Sequence, residues 1–93
     1  MSDPERREAI VTIRNKLGLH ARASAKLVES ASRFQSKITV TKDGQVVDAR
    51  SIMGLMMRAA SIGCEIRVAA EGPDADTAMT AVLALVEGKF GED

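Results

Sequence analysis

Lys37-Ile38-Thr39-Val40-Thr41 alternates polar and apolar residues with a period of two, and Asp43-Gly44 follows almost at once. That alternation sends every second side chain to the same face of a strand. The Asp-Gly pair suits the positive φ angles of a tight two-residue hairpin turn. Gln45-Val46-Val47-Asp48-Ala49 then returns as the partner strand. An antiparallel hairpin with one apolar face is therefore fixed near the middle of the chain, and the flanking segments must cover that face.

The flanks supply what is needed. Ala9-Ile10-Val11-Thr12-Ile13 is a β-rich run and Asn15-Lys16-Leu17-Gly18-Leu19 a loop. From Ala21 the texture becomes Ala-rich and helical, ending near Arg33. Ala21, Ala25, Val28 and Ser32 form one stripe, with Leu27, Ala31 and Phe34 beside it. Ser51 is placed to cap a short helix from Ile52 to about Ala60, which Gly63 stops. Glu65 to Ala69 alternates as a fourth strand. Gly72-Pro73-Asp74 marks a boundary with Asp74 as N-cap, and a last helix carries Ala78, Val82, Leu85 and Val86 before Gly88. The order β-α-β-β-α-β-α predicts an α+β open-faced sandwich, a four-stranded antiparallel sheet covered on one face by three helices. Residues 1–8 read as a charged leader, 9–89 as the domain and 90–93 as a tail.

Composition removes several functions. Thirteen basic residues balance thirteen acidic ones, and Phe34 and Phe90 are the only aromatics. A nucleic-acid binder needs a basic stripe or stacking surfaces, and neither is present. The single cysteine, Cys64, allows no internal disulfide and reads as a small buried hydrophobe. One histidine and one cysteine give no metal cluster, so no metal or cofactor is expected. No apolar run reaches the roughly 20 residues of a membrane span, and Met1 to Glu8 lacks the apolar core of a signal peptide. A cytoplasmic protein without membrane insertion is the expectation.

His20, the single histidine, falls between the Gly18-Leu19 loop and the helix beginning Ala21-Arg22-Ala23. Ser, Thr, Asp and Asn are the usual residues at that boundary, so folding does not call for histidine. A helix N-terminus presents unpaired N–H groups and the positive end of a dipole, both favourable to an anion. A phosphoryl group on the imidazole would meet the amides of Ala21 and Arg22, with the Arg22 guanidinium close by. Imidazole itself is a competent nucleophile near neutrality, its ordinary pKa being roughly 6.5. On spacing alone a surface histidine that happens to precede a helix is the better account.

The wider pattern decides between the two. Gly18-Leu19-His20-Ala21-Arg22-Ala23-Ser24-Ala25-Lys26-Leu27-Val28 resembles the active-site segment of the HPr family, the histidine-containing phosphocarriers of the bacterial phosphoenolpyruvate-dependent phosphotransferase system. Arg50-Ser51-Ile52-Met53-Gly54-Leu55-Met56 is similar to the same family's regulatory serine motif, and the resemblance runs from about Ile10 to Gly88. It implies that His20 is phosphorylated on Nδ1 by enzyme I and donates to IIA domains of permeases or of a regulatory branch, with Arg22 assisting. It also implies phosphorylation of Ser51 by an HPr kinase/phosphorylase. Many members carry proline directly after this arginine, where Ala23 stands here. Proline in a first turn mainly pre-sets φ, so the donor amides remain. The departure leaves sugar uptake and nitrogen-type regulation both open.

The helix after Ser51 is apolar nearly all round, yet a short helix on a sheet buries one stripe. Ile52, Leu55, Ala59 and Ile62 supply much of that stripe, leaving Met53, Met56 and Met57 at least partly exposed. Methionine adapts to several partners. Met53 and Met56, with Ile52 at the head of the helix, are therefore the candidate docking residues. Arg22, Lys26 and Lys16 would attract acidic partner surfaces, although Lys16 and Lys26 are equally well read as solvated charges. A monomer is expected, because a docking face must stay free. Two other classes stand beside the carrier: an enzyme using phosphohistidine or a general base, and an interaction module in which His20 is incidental. Against the enzyme, the sequence has no second histidine, no paired carboxylates next to His20 and no phosphate-cradling glycine-rich loop.

Overall fold

The computed structural model describes residues 5–57 and 60–92, with the side chains of Ile52, Met53 and Met57 outside the described set. Along the chain run β1 (Arg6–Thr12), α1 (Ala21–Ala31), β2 (Lys37–Lys42), β3 (Gln45–Asp48), α2 (Ile52–Met57), β4 (Glu65–Glu71) and α3 (Ala75–Glu87). The strands form a sheet of order β1-β4-β2-β3, antiparallel at each pairing. The expected hairpin, β2-β3, lies at one edge. Its turn is made by Asp43 and Gly44 at φ 52° and 78°, the geometry the Asp-Gly pair favours.

The register explains the open face. Ala9 pairs with Val68, Val68 with Val40 and Val40 with Val47, so one row crosses the whole sheet on the helix side. Val40 and Val68 are fully buried there, joined by Ile38, Ile66 and Ala70. The next row, Ile10, Arg67, Thr41 and Val46, points away from the helices. Ile10 and Val46 remain 60% and 62% exposed. An antiparallel sheet accepts this division because its backbone is satisfied whichever face is wet.

Several expectations change. Arg6 to Glu8 do not belong to a leader: they pair with Glu71, Ala70 and Ala69 as rungs of β1. Ladder bonds are made by the backbone, and the charges stay exposed, as suits an edge strand. In α1 the buried residues are Ala23, Ser24, Leu27 and Ala31, whereas Ala21, Ala25 and Ser32 face solvent. Alanine on every side of that helix gives little contrast between faces. Ile62 lies in the turn after α2 and is 53% exposed instead of completing a buried stripe. Cys64 is half-buried, its Sγ 3.5 Å from the Ser61 hydroxyl, which holds the thiol below its ordinary pKa.

The end of the chain is also part of the fold. Phe90 is the largest fully buried side chain, 1% exposed. Lys89, Phe90 and Gly91 all have positive φ (58°, 54° and 76°), so the chain reverses sharply after α3 and returns toward the start of α1. Within the expected tail, residues 90–93, Phe90 to Glu92 are therefore an anchored turn, and Asp93 lies outside the described residues.

Candidate functional site

His20 is held by its neighbours on both sides. The Ile13 amide donates to the Cys64 carbonyl and the Gly63 amide donates to the Ile13 carbonyl, both at 2.9 Å, tying the end of β1 to the loop before β4. Gly18 sits in the left-handed region at φ 64° against the backbone of Ala60 and Ser61. The buried Leu19 donates its amide to the Ala60 carbonyl at 2.8 Å, and its own carbonyl accepts from the Ser24 hydroxyl at 3.2 Å. His20 then takes the extended N-cap conformation, φ −79° and ψ −179°. Its carbonyl accepts the first intrahelical bond, from the Ser24 amide at 2.9 Å.

Histidine occupies the cap position without acting as a cap: its side chain bonds to no amide of the helix. The amides of Ala21, Arg22 and Ala23 precede the first helical bond, and no acidic residue lies in the first turn. That end of α1 is thus left electropositive. Arg22, the second residue of the helix, is exposed, and the imidazole is 27% exposed. The site is an open ledge. The surface groove between α1 and α3, lined by Lys26, Glu29, Arg33, Ala81 and Leu85, does not include His20.

Two residues at the site escaped the sequence reading. The Nε2 of His20 lies 2.6 Å from Oε2 of Glu92. The other Glu92 oxygen accepts from Nδ2 of Asn15 at 3.0 Å, and Asn15, fully buried, also donates to the Gly18 carbonyl at 2.8 Å. Burial works to raise the Glu92 pKa. The hydrogen bonds donated by Asn15 and His20, with the nearby charge of Lys26, outweigh it, and the carboxyl sits below its ordinary value. Lys26 is no freely solvated charge, since its Nζ donates to the Phe90 carbonyl at 2.5 Å. The one sequence hint of all this was Phe90, an aromatic residue too costly to leave in a solvated tail.

Ser51 is exposed and caps α2 as expected, its Oγ accepting from the Gly54 amide at 3.2 Å. A Cβ on Gly54 would crowd that same hydroxyl, at 3.0 Å from Ser51 Oγ. Leu55 is buried and Met56 is 44% exposed, in keeping with their expected faces. The side chains of Ile52 and Met53 lie outside the described residues. Leu17, in the loop before His20, is 70% exposed and is a further apolar residue on the surface. Among the described residues no cluster of His, Cys, Asp and Glu could hold a metal ion, and no helix is long and apolar enough to cross a membrane.

The described residues thus form a small open-faced α+β sandwich that carries a partly exposed imidazole at a helix N-terminus, on its surface. The chain belongs to the HPr family, the phosphocarriers of the phosphotransferase system: the family profile described as "PTS HPr component phosphorylation site" matches residues 7–88. The phosphocarrier protein HPr of Cupriavidus necator is 54% identical over 81 residues, 87% of this chain and 91% of that one. The crystal structure of HPr-C-His from Thermoanaerobacter tengcongensis superposes with a TM-score of 0.90 at 46% identity, covering 94% of this chain and 98% of that one. A structure described as an HPr dimer from the same organism gives a TM-score of 0.75 at 48% identity, covering 88% and 94%.

Proposed function

We infer that His20 is the phosphoryl acceptor of this carrier, taking the group from phosphorylated enzyme I on Nδ1 and passing it to a IIA domain. The observation that carries the reading is a histidine at the cap position of α1 that leaves the opening amides uncapped. Those amides favour the negative charge that a phosphoryl group brings to the site, and Arg22, exposed in the first turn, adds a cation at the same end. The protein is consumed and regenerated in each transfer and performs no turnover of its own. An open ledge suits that task, because donor and acceptor must reach the same nitrogen in turn.

Regulation at Ser51 forms the second part of the proposal. The hydroxyl is exposed at the start of α2, the short helix that also exposes Met56, so phosphate there would add about two negative charges close to the expected docking residues. Met56, with Met53 and Ile52, is proposed to meet the partners. The working form is proposed to be a cytoplasmic monomer. The test is a chase: protein phosphorylated by enzyme I and phosphoenolpyruvate, then freed of both, is mixed with IIA domains. Transfer of the label to a IIA domain supports the reading. Label that enters this chain and never leaves it, with a control carrier discharging in parallel, contradicts it.

A further inference from the structure

The C-terminal turn delivers a carboxylate to the histidine by a chain of specific contacts. Phe90 is buried, its carbonyl is held by Lys26, and Glu92 is thereby brought 72 residues back along the sequence to His20. Asn15 is spent on this arrangement, one amide nitrogen serving both the Gly18 carbonyl and Glu92. The Glu92 side chain is only 14% exposed, so the carboxylate is placed, not swinging freely in solvent.

We propose that Glu92 is a positioning residue for phosphoryl transfer: by accepting the Nε2–H of His20 it fixes the ring and leaves Nδ1 as the nitrogen with the free lone pair. The proposal rests on the reading of His20 as acceptor. A carboxylate at hydrogen-bond distance from one imidazole nitrogen requires the proton on that nitrogen, and the other nitrogen is then the nucleophile. The lone pair of Nδ1 forms the bond to phosphorus while the bond from phosphorus to the donor breaks, its electron pair leaving with the donor. Nε2 keeps its proton throughout. The phosphorylated ring is consequently cationic, and the Glu92 carboxylate balances it. When the group moves on, the pair of the Nδ1–P bond returns to Nδ1 and the neutral ring is restored, again without moving a proton. The relation is that of an orienting carboxylate to a histidine in hydrolytic triads, here supplied from the far end of the chain.

Glu92→Ala and Glu92→Gln in the full chain test this, with two readouts. Nitrogen-15 NMR of the unphosphorylated protein reports the His20 ring, and intact mass against time reports phosphoryl uptake from enzyme I. The wild type should show a ring proton on Nε2 that exchanges slowly with water. Both variants should lose that protection and take up phosphoryl about tenfold or more slowly, as expected when a reacting group loses its orientation. Glutamine fills the same space but brings one acceptor where Glu92 uses two, on His20 and Asn15, and no charge to balance the phosphorylated ring, so a Glu92→Gln protein that matches wild type in both readouts while Glu92→Ala is slow would reduce Glu92 to packing and overturn the proposal. Wild-type rates in both variants, or an unchanged ring signal, would overturn it as well. A wild type that takes up no phosphoryl would instead remove His20 as acceptor, and this proposal with it.

Discussion

A Cβ placed on Gly18 would lie 2.2 Å from the carbonyl oxygen of Ala60 and 2.8 Å from Cα of Ser61. Both are backbone atoms, which cannot turn aside, and Gly18 also has φ 64°. The loop that presents His20 is therefore seated on the segment after α2 through a residue without a side chain. Gly18→Ala should destabilise the protein by about 2 kcal/mol or more, from the close contact and the left-handed backbone together. Chemical denaturation measures the loss. The same variant should slow phosphoryl uptake, since Leu19 and His20 follow directly.

Ser51 separates structure from regulation. Removing its cap by Ser51→Ala should cost about 1 kcal/mol in denaturant melts. Ser51→Asp restores an oxygen that can accept from the Gly54 amide, so its stability should stay near wild type. If negative charge here repels the donor, Ser51→Asp should nevertheless be phosphorylated more slowly by enzyme I. Equal uptake by Ser51→Asp and wild type would count against a regulatory role.

Asp74 stands at the N-cap of α3 yet does not cap it. Its carboxylate instead accepts from the Ser36 hydroxyl and from the amides of Gln35 and Ser36, pinning the loop before β2. The Ser36 hydroxyl is the chief cause holding its pKa below the ordinary 3.8, with the Gln35 amide next and burial opposing. The folded state thus binds the proton less readily than the unfolded chain. Its stabilisation is complete above about pH 3.8 and is lost as pH falls through the lower folded value. Thermal melts between pH 7 and pH 2 should show Asp74→Asn less stable at neutrality and with a shallower acid decline than wild type.

Phe90→Ala should cost about 3 kcal/mol, the low end for emptying a buried aromatic site, because the turn that carries it can partly collapse. The variant should also lose the Glu92 contact, so its His20 ring proton should exchange as fast as in Glu92→Ala. A variant that is destabilised but keeps the protected ring proton would show that Glu92 is held by Asn15 alone.

The parts of the fold legible in sequence are those written locally. Alternation around Asp43-Gly44 specifies a hairpin wherever it is met, and His20 followed by Ala21-Arg22-Ala23 marks a helix start with an unusual cap. Ser51 announces its own bond to Gly54 in the same way. Contacts between distant segments were not legible. Nothing near Glu92 says that it meets His20, because the meeting depends on Lys89 and Phe90 adopting positive φ, which neither residue type advertises. The α1 faces were blurred for the opposite reason, too many alanines on every side. Arg6 to Glu8 read as a leader because charge signals solvation, yet an edge strand carries charge on its exposed side chains.

The central claim is that the phosphoryl group resides on His20. Intact mass of wild type and His20→Ala, after mixing with phosphoenolpyruvate and enzyme I, tests it most directly. The account predicts one phosphoryl adduct on wild type, lost on brief acid treatment and absent from His20→Ala. An acid-labile adduct of equal yield on His20→Ala, or none on wild type beside a control carrier that is phosphorylated in the same tube, would contradict it.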